Sequence, residues 1–346
     1  MYPGKPITKK LTKMSTGKPI TNFFRVNQLG LKVPRKRKST EKNQRPFSKR
    51  LKPWSDLVID THCHLEFIKR WIRNVNSLED CNRYDGENLG DRFIGAIVNY
   101  CQPSEWSQGV KLDKVSSLLR NSAKDGKCGI TLGIHPHFAD TMSPVRWKQF
   151  EILISSPSPQ FPWLHVVALG ECELDYGPKN SVPKATQINV FTKQLQIAIK
   201  YKLPVVIHIR DAEKDGLRVM EEVGVPEDYP IHRHCFAGDL SDAKAWLAKY
   251  SNCYLGFTGL VTYQNAHHVQ DVVKNVDITK IVLETDAPYF IPKTVKRNVK
   301  NCSFPRQVVH VAAKIGELKN LSTSEVLFHN IQNSKCIYKR FYEHIN

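Results

Sequence analysis

The feature that most constrains this chain is a repeated alternation. From residue 57 onward, short runs rich in β-branched and aliphatic residues are separated by stretches with helical spacing. Eight such runs occur: Leu57 to Thr61, Phe93 to Asn99, Gly129 to Ile134, His165 to Gly170, Pro204 to Ile207, Ile231 to Arg233, Cys253 to Phe257 and Lys280 to Glu284. Between the fourth and fifth, Ile188, Phe191, Leu195 and Ala198 fall three and four residues apart, which predicts a helix over Gln187 to Lys200 with one apolar face. Strands that alternate with helices pair in parallel through crossovers. Eight βα units are the number that closes an α/β fold into a (β/α)8 TIM barrel.

Nearly every run ends in residue types that ligate metals: Asp60, His62 and His64; His135 and His137; Glu171; His208; His234; Asp286. Six of the 13 histidines stand at these ends, leaving His232 aside. A single histidine at a strand end is more often a hydrogen-bonded structural residue than a ligand. Jointly the weights reverse, because strand ends far apart in sequence converge at the mouth of a barrel. Side chains two apart on a strand share a face, so His62 and His64 point together while Cys63 turns away. The same alternation keeps His232 as a rival of His234. It also turns Cys172 and Cys235 toward the surrounding helices as small buried hydrophobes. Imidazole nitrogens and carboxylate oxygens without thiolate form a borderline to hard donor set, suited to Mg2+, Mn2+ or Zn2+.

Charge is unevenly placed. The chain of 346 residues carries a formal +18, yet residues 1–55 alone hold 16 Lys and Arg against one acid, Glu41. The remaining residues hold 35 basic and 32 acidic side chains, so the basicity belongs to an appendage and not to the large domain over residues 56–346. With several prolines and few aliphatics, residues 1–55 cannot bury enough apolar surface to offset the entropy of ordering, and a disordered tail is expected there. No window has the continuous apolar length of a signal peptide or a membrane span, so a soluble intracellular monomer is expected. The nine cysteines form no Cys-x-x-Cys pair, which argues against a zinc ribbon or a disulfide framework.

The segments Val58-Ile-Asp-Thr-His-Cys-His-Leu65, Gly133-Ile-His-Pro-His137, Leu169-Gly-Glu-Cys-Glu-Leu-Asp-Tyr176, Pro204-Val-Val-Ile-His-Ile-Arg-Asp-Ala212, His234-Cys-Phe-Ala-Gly238 and Leu283-Glu-Thr-Asp-Ala-Pro-Tyr289 follow one another in order. Together they resemble the successive signatures of the TatD-type metal-dependent deoxyribonucleases, and Ile231-His-Arg-His-Cys-Phe236 is most similar to an animal branch of that family. The resemblance implies two divalent ions. His62 and His64 would bind one with Asp286, Glu171 would bridge the pair, and His208 and His234 would bind the other. The Cys-Phe-x-Gly that follows fits His234 to the family motif. Catalytic roles would fall to Glu171, Asp286 and His135, the last facing a substrate phosphate, with His137 and Arg210 as substrate contacts.

Two ions about 3.5 to 4 Å apart suit phosphodiester hydrolysis, so a nuclease acting on DNA, with RNA as a second candidate, is expected. A domain with almost balanced charge lacks the broad basic face of a long-duplex binder, which favours an exonuclease reading ends or single strands. Tyr176, Phe236 and Tyr289 stand close after proposed ligands, either to stack on bases or to pack the barrel rim. The competing readings are a small-molecule amidohydrolase or lactonase on the same barrel, and a non-catalytic nucleic-acid-binding module. In the tail, Arg35, Lys36, Arg37 and Lys38 form a compact nuclear localisation signal, with mitochondrion and cytoplasm as the rival addresses. Ile20, Phe23 and Phe24, within residues 17–24, resemble peptides that dock on the sliding clamp of DNA replication, although Gly17 stands where the usual glutamine would be.

Overall fold

The computed structural model describes residues 56–107, 115–155, 160–296 and 301–345. The localisation run, the clamp-like motif and the expected disorder of residues 1–55 therefore lie outside the described residues. Eight parallel strands pair in sequence order: β1 (Val58–Cys63), β2 (Phe93–Tyr100), β3 (Cys128–Ile134), β4 (Val166–Asp175), β5 (Val205–Arg210), β6 (Ile231–Arg233), β7 (Cys253–Phe257) and β8 (Ile281–Leu283). The expected helix spans Lys184–Tyr201 and buries Phe191, Leu195 and Ala198 against the sheet, while Ile188 is half-buried. β4 and β5 outrun their expected ends by the most, five and three residues, while β1 and β2 exceed theirs by two and one. β4 continues through Glu171 to Asp175 and β5 through His208 to Arg210, because Leu174 and Ile209 keep an apolar face against the helices.

The barrel closes without a regular ladder between β1 and β8. Past Leu283 the chain runs alongside the end of β1: Asp286 N–H donates to His62 O at 2.9 Å, His64 N–H donates to Ala287 O at 2.8 Å, and Cys63 bridges Ala287. Asp60 fastens this seam, its carboxylate accepting the N–H of Thr285 at 2.9 Å, the Thr285 hydroxyl, and the N–H of His62 at 3.2 Å. Asp60 is thus a structural strand-end carboxylate and not one of the group facing the mouth.

Two apolar layers hold the fold. The larger lies between strands and helices; the smaller fills the barrel with Ile59, Ile97, Val167, Val206, Tyr254 and Val282. The floor of the smaller layer is made by the end of the chain. Tyr338, Phe341 and Tyr342, on and just before the helix Lys339–Ile345, enter from below and are buried. Room for Phe341 comes from glycines on the neighbouring strands β2 and β3: a Cβ on Gly129 would stand 3.0 Å from its ring, and one on Gly95 2.9 Å from it. Among the described residues no helix is long and apolar enough to cross a membrane. Truncating a fully buried aromatic ring removes its burial and leaves a cavity, so Phe341→Ala should cost about 3 to 5 kcal/mol in a denaturant melt. A loss under roughly 1 kcal/mol would show that this helix is not part of the core.

Candidate metal centre

Five of the six residues expected to hold ions meet above this floor. Glu171 is the hub: its Oε1 is 3.4 Å from His62 Nε2 and 3.1 Å from His234 Nε2, and its Oε2 is 3.6 Å from His64 Nε2. Asp286 Oδ1 lies 3.3 Å from His64 Nε2 and 3.9 Å from His62 Nε2. The sixth, His208, stands at the edge with a ligand atom within 4.8 Å of those of Glu171 and His234. Glu171 therefore belongs to two groups at once, one with His62 and His64 and one with His208 and His234. These strand ends are brought together by barrel closure.

His232 and His234 share a face, as their spacing requires, but occupy successive layers of the interior. Their rings stand 6.1 Å apart at 90°. His234 reaches Glu171, whereas His232 Nε2 faces Glu284 Oε2 at 2.9 Å and its Nδ1 meets the Tyr338 hydroxyl at 2.6 Å.

Behind the inner ring stands a second set of carboxylates. Glu66 Oε1 and Asn99 O lie 3.4 and 3.3 Å from His64 Nδ1, Glu284 Oε2 lies 3.1 Å from His234 Nδ1, and Glu173 Oε1 lies 2.8 Å from His135 Nε2. Such partners fix the tautomer and orientation of the ring and raise the basicity of the nitrogen that faces the site. Glu173 and Glu284 received no role from the sequence. The alternation that pairs His62 with His64 would have found Glu173, since residues 171, 173 and 175 of β4 share a face. Cys101 was also missed. It lies with His64 and Glu66, but burial pushes its thiol well up, so it stays protonated.

On the rim, His137 Nε2 and Arg210 Nη1 both reach Asp175 Oδ2, at 3.3 and 3.4 Å. Burial opposes charge on Asp175, yet the His137 bond, the Gly177 N–H and the Arg210 charge hold its carboxyl below the usual range. Beside them opens a cleft of about 760 Å³ lined by His208, Arg210, Lys184, Lys214, Tyr176 and Phe290. Cys235 lines it too, contrary to the expected turn toward the helices. The regular strand ends at Arg233 and Cys235 takes φ +45°, so alternation no longer governs where it points. Cys172, within β4, is buried in the layer against the helices. Phe236 is buried 6.3 Å from Phe257 and is a packing residue, whereas Tyr176 flanks the cleft with Lys184 Nζ 4.0 Å above its ring. Tyr289 packs edge-on to Phe67 and Trp71.

The donor set fits a cation. Ligands bonded at about 2.0 to 2.2 Å around a tetrahedral ion stand roughly 3.3 to 3.6 Å from one another, close to the spacings around Glu171. His234 Nε2 is 3.1 Å from Glu171 Oε1, but off the axis of a hydrogen bond, so nitrogen and oxygen face a common point more than each other. The electrostatics agree. Burial works against charge on His234, but Glu284 and Glu171 outweigh it and push its pKa up to about 10. His64 is likewise held well above the ordinary range, against burial, by Glu171 and Asp286. Glu171 itself is held well below its range, since His64, His234 and His62 outweigh its burial. Burial instead pushes His62 and His208 well below the ordinary range, so the positive charge of this pocket falls on His64 and His234. Zn2+ or Mn2+ binding near neutral pH should therefore displace protons from His64 and His234. Calorimetry in two buffers of different ionisation enthalpy checks this; heats that do not depend on the buffer would contradict it.

A parallel eight-stranded barrel whose strand ends gather imidazoles and carboxylates at its mouth is the architecture of metal-dependent hydrolases. Residues 59–339 match the family model described as TatD related DNase, and the chain belongs to that family. It is 30% identical to the human 3'-5' RNA nuclease TATDN2 over 81% of this chain, and spans 35% of that relative's length. It is 31% identical to a 3'-5' ssDNA/RNA exonuclease TatD from Cronobacter turicensis, over 59% of this chain and 76% of the relative. A crystal structure of a TatD homologue from Escherichia coli superposes with a TM-score of 0.66 at 22% identity, covering 82% of this chain and 99% of the other, and so shares the fold.

Proposed function

We propose that this chain is a divalent-metal-dependent nuclease that hydrolyses phosphodiester bonds of DNA, and of RNA as a second substrate, as an exonuclease on ends or single strands. The observation that carries this reading is the double membership of Glu171: one carboxylate serves two ligand groups that share a wall. Two divalent ions held there would supply Lewis-acid activation of a water and charge stabilisation of the attacking and leaving oxygens.

The chain's own groups divide the remaining work. His62, His64 and Asp286 would hold one ion and His208 and His234 the other, with Glu171 able to contribute to both groups. Asp286 orients the attacking water and takes its proton, a role suited to a carboxyl that burial raises above the ordinary carboxylate range against the His64 bond. His135, which this reading sets beside the substrate phosphate, is held at Nε2 by Glu173 and accepts the N–H of His137 at Nδ1. Burial lifts the Glu173 carboxyl to about 7 against the pull of His135. Arg210 and His137, braced on Asp175, bind the substrate where the cleft adjoins His208. The human relative is a 3'-5' RNA nuclease and the Cronobacter relative a 3'-5' ssDNA/RNA exonuclease, the second of which supports strand-end hydrolysis, and the near balance of 35 basic and 32 acidic residues outside the tail supports recognition of few nucleotides.

The test is digestion of end-labelled linear DNA and RNA beside a closed single-stranded circle, by metal-stripped protein resupplied with Mg2+, Mn2+ or Zn2+. Linear strands should disappear while the circle persists. Glu171→Gln and Asp286→Asn should each lower the rate about 10²- to 10⁴-fold while remaining folded. Full activity in both variants would remove the assignment, and rapid loss of the circle would remove end dependence.

Residues 1–55 carry the address in this reading. The run Arg35 to Lys38 directs the protein to the nucleus, and Ile20, Phe23 and Phe24 dock on the replication sliding clamp. The tagged chain should lose nuclear accumulation when residues 34–38 are deleted, and a peptide of residues 13–30 should bind the clamp. Unchanged accumulation or absent binding ends the corresponding half of the idea.

A further inference from the structure

Below the centre, three polar side chains that the reaction does not use form a continuous buried line. Tyr338, which follows the helix Thr323–Ile337, places its hydroxyl 2.6 Å from His232 Nδ1 and 3.4 Å from Thr61 O. His232 Nε2 faces Glu284 Oε2 at 2.9 Å, and the same oxygen stands 3.1 Å from His234 Nδ1. The other oxygen of Glu284 accepts the N–H of Cys235 at 2.6 Å, which fixes the carboxylate. His232, Glu284 and Tyr338 all have zero exposure. A Cβ on Gly256 would stand 2.4 Å from His232 Nε2 and 2.7 Å from Glu284 Oε2, so the line exists because that strand position lacks a side chain.

Proton counting gives the line a direction. A tyrosine hydroxyl holds one proton and an ionised carboxylate only accepts. Of the two acceptors near Tyr338, His232 Nδ1 is closer. Donation there leaves the His232 proton on Nε2, toward Glu284. Glu284 then takes the Nδ1 proton of His234 as well, so the proton His234 would give up to an ion is the one on Nε2, facing Glu171 at 3.1 Å. Both ring nitrogens meet Oε2 off the axis of a linear hydrogen bond, so the charge of the carboxylate carries these contacts.

We propose that Tyr338 and His232 are positioning residues of the metal centre: acting through Glu284, they set the tautomer and orientation of His234 and so couple ion binding to the docking of the C-terminal segment in the barrel floor. The proposal rests on His234 holding an ion. Partners behind a ligating histidine are worth roughly 10- to 100-fold in metal affinity.

The experiment is a cobalt(II) titration of the metal-free full chain, followed by calorimetry and visible absorption, with thermal melting of each metal-free protein alongside. Tyr338→Phe deletes one hydroxyl and keeps the ring that plugs the floor. It and His232→Val should weaken one of two cobalt-binding events about 10- to 100-fold and shift its absorption band, while the other event stays put. His232→Gln keeps an N–H donor toward Glu284 and should recover most of the affinity and the wild-type band. Wild-type affinity and spectrum in Tyr338→Phe and His232→Val overturn the proposal and leave the metal reading standing. Equal weakening of both events in step with lost thermal stability also overturns it, since that is a purely structural effect. A wild-type chain that takes up no cobalt overturns the metal reading and the proposal with it.

Discussion

The structure depends on one seam, the place where the first strand meets the last. Asp60 and Thr285 are 225 residues apart and bonded through both the backbone and the hydroxyl of Thr285. The same carboxylate holds the N–H of His62. A carboxylate with no exposure is costly to bury, and these three donors offset part of that cost, burial still raising the Asp60 carboxyl well above its ordinary range. Closing the sheet here sets His62 and His64 opposite Asp286, and the backbone bonds of His64 and Asp286 across the seam fix that register. The contacts of His62 and His64 with Asp286 follow from that closure.

Around the seam the charge is arranged in two shells of opposite tendency. The inner ring sets imidazoles against Glu171 and Asp286, and the outer ring sets Glu66, Glu173 and Glu284 behind the imidazoles. Carboxylates buried with neutral rings leave a surplus of negative potential. In the chain alone that surplus raises the pKa of His64 and His234, while burial lowers His62 and His208; a bound cation would take the place of the protons on the first two. The rim is built differently. There Arg210 and His137 share Asp175 beside an open cleft, so both side chains stay oriented next to the space a substrate would occupy.

Much of the fold was legible because its signals are local. The apolar runs locate all eight strands, and the spacing of Phe191, Leu195 and Ala198 locates the helix between β4 and β5. Errors arose where local rules stop. β4 runs five residues further than its apolar stretch because Glu171, Glu173 and Asp175 face a polar mouth while Cys172 and Leu174 still face helices. Cys235 escapes alternation because its backbone has left the strand conformation. Glu173 and Glu284 passed unremarked because a carboxylate behind a histidine looks in sequence like any other acid; their role exists only through the 2.8 and 3.1 Å contacts the fold provides.

The sequence by itself determined the repeat of eight βα units, the donor chemistry at their ends and the concentration of positive charge in residues 1–55. Periodicity, residue type and charge are properties of short windows. Only the tertiary structure decided which imidazole of the His232 and His234 pair reaches Glu171, which carboxylate stands behind each ring, and that the chain's end supplies the barrel floor. Those outcomes depend on depth along the barrel axis and on which strand ends face one another. Both are set when a sheet closes on itself, and no local pattern encodes them.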